Sequence, residues 1–99
     1  MIPLSITAAA ELDALTLHYA ALGRDRAIDR LVASIEAACA RYESGHGLFY
    51  DAPRPYPGLA DLAFRWTKEG SYWVAFKETD AGSVVAGVFY DAADIPNRL

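Results

Sequence analysis

The sequence predicts an α+β domain of order β-α-α-β-β-β: a mainly antiparallel, twisted sheet with an N-terminal two-helix hairpin packed on one face. Three observations predict it. Two amphipathic stretches follow one another almost without a connection. Three short strand-like runs, separated by turns, fill residues 60–90. A proline- and glycine-rich stretch divides the helical half from the strand half.

The chain opens on a short strand from Ile2 to Ile6, in which Ile2, Leu4 and Ile6 alternate with Pro3 and Ser5. Pro3 has no N–H to give to a ladder, so it belongs at the strand start or on an unpaired side. Thr7 is the expected N-cap of the first helix, and Glu11 favours the positive end of the helix dipole. Leu12, Leu15, Tyr19 and Leu22 recur at helical spacing, and Gly23 fits the stop. The second helix is capped by Asp25. Its apolar stripe is Ile28, Leu31, Val32, Ile35, Cys39 and Tyr42, and Ser44-Gly45 ends it. The short connection implies an antiparallel hairpin, and neither helix is apolar enough all round to be buried alone.

Residues 45–58 hold Gly45, Gly47, Pro53, Pro55, Pro57 and Gly58. Prolines at alternate positions make this loop extended and stiff. Strands are expected at Ala60–Thr67, Ser71–Glu78 and Ser83–Tyr90, joined as an antiparallel meander by Lys68-Glu69-Gly70 and Thr79-Asp80-Ala81-Gly82. In the middle strand Tyr72, Val74 and Phe76 share the face assigned to the helices, while Trp73, Ala75 and Lys77 look outward. The last strand sets Val84, Ala86 and Val88 against Val85, Gly87 and Phe89. Both faces are apolar, which suits an interior position in the sheet.

Residues 1–99 make one domain, with enough apolar side chains for a core. Much of that fraction is alanine, so tyrosine, tryptophan and phenylalanine must supply core volume. Cys39 is the single cysteine, which excludes an internal disulfide. With no signal-peptide pattern and no apolar run of membrane length, the chain reads as cytoplasmic, with no membrane partner. The net charge of −4 argues against long-range attraction to nucleic acid, and no direct, specific DNA binding is expected. Only the segment Phe64–Lys77 is locally positive, with Arg65, Lys68 and Lys77 against Glu69.

The chemistry visible in the residues is thin. His18, His46 and Cys39 stand at no ligand interval, so no metal is expected. Cys39 sits on the helical stripe, where a thiol is inert packing, and no serine lies in a G-x-S-x-G elbow. No cofactor is expected and no residue is assigned as catalytic. His46 between two glycines is an exposed loop residue, or else an acid or base near neutral pH. Asp91 and Asp94 read as caps and solvating charges. Trp66 and Trp73 have two readings. They form an outward aromatic patch flanked by cations, fit for a protein surface or for stacked bases, or they lie beneath the proline-rich loop.

Three local patterns, in this order and spacing, resemble the ParE/RelE superfamily of bacterial type II toxin–antitoxin toxins. Pro57-Gly58-Leu59 with Leu62 and Arg65 is similar to the approach to its second strand. Gly70-Ser71-Tyr72-Trp73-Val74-Ala75-Phe76 resembles its Gly-x-Tyr-x-x-x-(aromatic) strand. Val88 through Pro96 resembles its closing segment, commonly Val-Phe-His-x-Ala-Arg-Asp-x-Pro. The resemblance spans nearly the whole chain and implies the RelE/ParE-like fold.

RelE-type members cleave messenger RNA on the ribosome with basic residues that stabilise the phosphoryl transition state. Here the usual histidine falls at Tyr90 and the usual arginine at Ala93, while Arg65 matches a basic position. Losing one such donor typically costs about 3–4 kcal/mol. The ParE branch fits better, since it binds DNA gyrase and needs no catalytic set. The resemblance thus implies a gyrase-inhibiting toxin, encoded for example in plasmid stabilisation modules and neutralised by a cognate antitoxin. The antitoxin's disordered tail would fold along the hairpin and the sheet. Alternatives are a ribosome-dependent mRNA endoribonuclease, using Arg65 and Lys68 with His46 or Tyr90, and an inactive member that only binds antitoxin. The surface expected to meet target or antitoxin comprises Arg65, Trp66, Lys68, Trp73, Lys77 and Tyr90.

Overall fold

The computed structural model describes residues 2–91 and 95–98. Its elements are the helices α1 (Ile6–Ala21) and α2 (Asp25–Ser44) and the strands β1 (Arg65–Glu69), β2 (Tyr72–Thr79) and β3 (Gly82–Tyr90). Single 3₁₀ segments occupy Pro57–Leu62 and Ile95–Arg98. The strands form an antiparallel meander of order β1-β2-β3 with both helices on one face, the α+β arrangement expected.

The N-terminal segment is the first departure. It is not a strand but a single parallel bridge between Leu4 and Val85. Val85 N–H donates to the Pro3 carbonyl at 2.8 Å, and Ser5 N–H donates to the Val85 carbonyl at 2.9 Å. The ladder stops there because Ser5, not Thr7, caps α1. Its Oγ accepts the Ala8 N–H at 3.0 Å, so the helix claims the chain from Ile6 onward. At α2, Arg24 occupies the cap position and Asp25 opens the first turn. Both helices end where the glycines stand: Gly23 has φ +67 and Gly45 φ +75, the left-handed backbone a helix terminus favours.

The first meander strand is shorter than the sequence suggests. Pro57, with φ already set for a helical turn, nucleates the 3₁₀ segment Pro57–Leu62, and β1 starts only at Arg65. Two-residue hairpin turns follow at Gly70-Ser71 and Asp80-Ala81. Gly70 at φ +59 supplies the positive φ of a primed turn, the type whose twist matches the strands.

β2 is the central strand and β3 an outer one, contrary to the interior position expected of β3. Its two apolar faces arise because both sides of the sheet are covered. Helices cover one face, where Tyr72, Val74, Phe76, Val85 and Val88 pack against Ala8, Tyr19, Leu31, Ile35 and Cys39. On the other lie Trp66, Trp73, Ala75, Ala86, Phe89 and Ile95, packed by Tyr56, Leu59 and Phe64. Simple alternation fails in β3. Ala75 pairs with Gly87 but Phe76 with Val85, so Ala86 is an extra residue in a bulge. The bulge resets the phase and puts Val85 and Val88 on the same, helix-facing side.

Residues 50–64 therefore act as a strap across the second face. Tyr50 and Trp66 exchange both backbone hydrogen bonds at 2.7 Å, tying the strap to the outer edge of β1. Pro53, within the strap, is fully buried. The outward aromatic patch is thereby corrected: Trp66 is 0% and Trp73 6% exposed. The physical reason is area, because a buried aromatic contributes about 1.5–3 kcal/mol, and a stiff proline-rich segment covers two indoles at small entropic cost.

Candidate binding surface

The six residues expected to form one surface do not come together. β-register places Trp66, Lys68, Trp73 and Lys77 on the strap side, with both indoles inside. Tyr90 pairs with Tyr72, and Arg65 with Phe76, on the helix side. The cations are also engaged locally. Arg65 Nη1 lies 3.1 Å from Asp51 Oδ1, Lys68 Nζ lies 2.9 Å from Asp91 Oδ2, and Lys77 Nζ sits 6.0 Å from the centre of the Phe64 ring. Tyr90 is 43% exposed, its ring edge-on to Tyr72.

A different surface stands open. Between α1 and α2, above the end of the sheet, runs a groove of about 1440 Å³. Its walls carry Ala10, Ala14 and His18 from α1 and Arg24, Arg30 and Ala33 from α2. Alanines on the facing sides leave the space between the helices without a large side chain to fill it. At the floor the Tyr19 and Tyr72 hydroxyls lie 2.6 Å apart. Burial, and then the bond to Tyr19, push the Tyr72 phenol above its ordinary value, so it stays protonated. Arg24 lies over the Tyr19 ring at 5.5 Å.

The outer side of α1 is open as well. Ile6 and Leu17 are 91% and 70% exposed, and Leu22, assigned by its spacing to the inward stripe, lies past the end of α1 and is 57% exposed. Sequence reasoning followed the stripe Leu12, Leu15, Tyr19 and Leu22 and missed this second one. The signal was present, since α1 holds apolar residues on every side and Glu11 and Asp13 as its only acidic side chains, with no lysine or arginine.

The remaining polar clusters hold the fold. Arg41 Nη2 donates to Thr67 Oγ1 at 2.9 Å and pairs with Glu69 Oε2 at 2.6 Å, while Thr67 donates to the Leu48 carbonyl at 2.9 Å. This clamp joins α2, the loop after it, and β1. Cys39 is buried in the helix-side core, and burial raises its thiol pKa, so it is an inert packing group. His46 is exposed, and its backbone N–H closes the end of α2 on the Arg41 carbonyl at 3.1 Å. Among the described residues no cluster of three His, Cys, Asp or Glu could hold a metal, and no helix is long and apolar enough to cross a membrane. Ala93 and Asp94, weighed above as an arginine position and a cap, lie outside the described residues.

No family model matches the chain, and neither a curated protein nor a solved structure matches it.

Proposed function

We propose that this chain acts by binding, as the toxin of a type II toxin–antitoxin pair that inhibits DNA gyrase in the ParE manner and is neutralised by a cognate antitoxin. The observation that carries the reading is the helical hairpin itself: an open groove beside an apolar helix face, on a meander sheet of the expected order. A protein that works by attachment needs such uncovered apolar surface, and the buried indoles no longer supply it. The contact surface is accordingly moved from Trp66 and Trp73 to the hairpin, with Tyr90 at the rim of its groove.

The ribonuclease reading is weaker on the same geometry. Arg65 and Lys68, which would hold the scissile phosphate, each face a carboxylate, and that offsets the positive potential a phosphoryl transition state requires. Induction of the chain in a bacterial host separates the readings. Growth arrest, relieved by the adjacent reading frame, with loss of gyrase supercoiling in vitro, is the expected result. Message cleavage in a translation extract that disappears in Arg65→Ala would replace gyrase with RNA as the target. Unimpaired growth would leave a member that only binds antitoxin.

A further inference from the structure

The floor of the hairpin groove holds a polar pair that the fold does not fully satisfy. Tyr19 on α1 and Tyr72 on β2 are 6% and 5% exposed, and their hydroxyls lie 2.6 Å apart. Two neutral phenols carry two protons but share one hydrogen bond, so one O–H donates across the pair and the other is left over. Among the described residues no acceptor takes it. Buried hydroxyls normally find a partner. Both tyrosines line the groove, so the spare donor is offered to whatever enters there.

Charge says what enters. Arg24 lies 5.5 Å from the centre of the Tyr19 ring. Burial and the bond to Tyr19 raise the Tyr72 phenol, and the Arg24 charge opposes that rise, so guanidinium and hydroxyls share one corner. Arg24 and Arg30 both line the groove, and neither forms an ion pair among the described residues. Of the two groove carboxylates, Glu69 is held by Arg41, and Glu11 accepts the Val88 N–H at 3.4 Å. Two arginines against Glu11 leave a single net positive charge, which suits a monoanion better than a phosphate dianion.

We propose that this corner binds a carboxylate, one oxygen taking the spare phenolic O–H and the other facing Arg24, with the apolar body of the ligand along the alanines of the groove. The carboxylate belongs to a free acid or to an acidic side chain of a partner segment, and only the second source rests on the attachment reading above.

An amide NMR titration of the full chain at neutral pH tests this, with benzoate as the probe and benzamide as its uncharged match. Saturable shifts at Arg24, Ser71 and Tyr72 are expected with benzoate and not with benzamide. Arg24→Gln, and separately the double variant Tyr19→Phe with Tyr72→Phe, should each weaken binding about tenfold or more. The double variant removes both hydroxyls together, so it strands no buried partner and should keep the native spectrum. A blocked alanine peptide with one central glutamate separates the sources. Tighter binding than benzoate marks a partner's side chain, and weaker binding marks a free acid. No saturable shift with either carboxylate overturns the proposal. So does equal binding by benzamide, by Arg24→Gln or by the double variant, or tighter binding of inorganic phosphate. Growth and supercoiling are read separately, so a failed titration leaves the toxin reading standing, and a failed toxin assay leaves this site standing.

Discussion

Glu78 shows how a single exposed side chain acquires a defined acid–base role. Ser83 Oγ lies 2.7 Å from its Oε2 and Tyr42 donates to Oε1 at 2.9 Å. These bonds, Ser83's first, favour the ionised form and hold the carboxyl below its ordinary value of 4.5. A lowered folded value adds stability above the unfolded pKa and loses it as pH falls through the folded pKa. The thermal midpoint of the native chain should therefore exceed that of Glu78→Gln near neutrality, and the gap should close on acidification below 4.5. A gap that persists at low pH would assign the difference to packing instead. Gly87 and Gly47 are also set by their surroundings. A Cβ on Gly87 would come 2.5 Å from Phe89 Cε2, inside the strap-side core, so Gly87→Ala should cost about 1–3 kcal/mol in urea unfolding. Gly47, at φ +97, leaves 2.9 Å between an added Cβ and Arg41 Nη1. It thus preserves the clamp to Thr67 and Glu69, and nothing in the sequence around it names Arg41 as the neighbour.

Among the elements, α1 concentrates both the legible and the illegible. Its end was readable, because Gly23 supplies a positive φ that few other residues adopt. Its start was not. Ser5 and Thr7 are both capping residues, and the choice falls to Ser5 because the Leu4–Val85 bridge fixes the direction of the preceding chain. Ser5→Ala should cost about 1 kcal/mol, read as a lower denaturant midpoint with an unchanged slope. A slope that falls would mean the native state itself had loosened. In β3 the alternation of apolar residues was visible, but a bulge adds one residue without any compositional mark. Ala86 and Gly87 pass as ordinary strand residues until the pairings Ala75–Gly87 and Phe76–Val85 are known, which leave Ala86 as the extra residue.

For the whole molecule, the decisive feature is that both faces of a three-stranded sheet are covered. Trp66 and Trp73 report this directly. Tryptophan emission should be blue-shifted in the native chain, resist quenching by acrylamide, and move to the red in one cooperative unfolding step. Leu59→Asp sets a carboxylate beside the strap-side core and should cost roughly 2 kcal/mol or more, with earlier loss of the blue-shifted signal. An emission maximum typical of water in the native state would show that the strap does not seat. The same covering rearranges the functional surface. With the second face closed, the hairpin groove and the outer side of α1 remain as the open apolar ground.

Local chemistry in the sequence determined the order and type of the two helices and the three-stranded meander: apolar periodicity set the helices and strands, and glycines set their turns. It determined likewise that Tyr72, Val74 and Phe76 turn toward the helices. Only the tertiary structure decided that the indoles are inside, that β3 changes phase at Ala86, and that a groove stays open between α1 and α2. Those outcomes rest on contacts between residues far apart along the chain, such as Trp66 with Tyr50 and Ile95, and a side chain's burial belongs to whatever comes to lie over it.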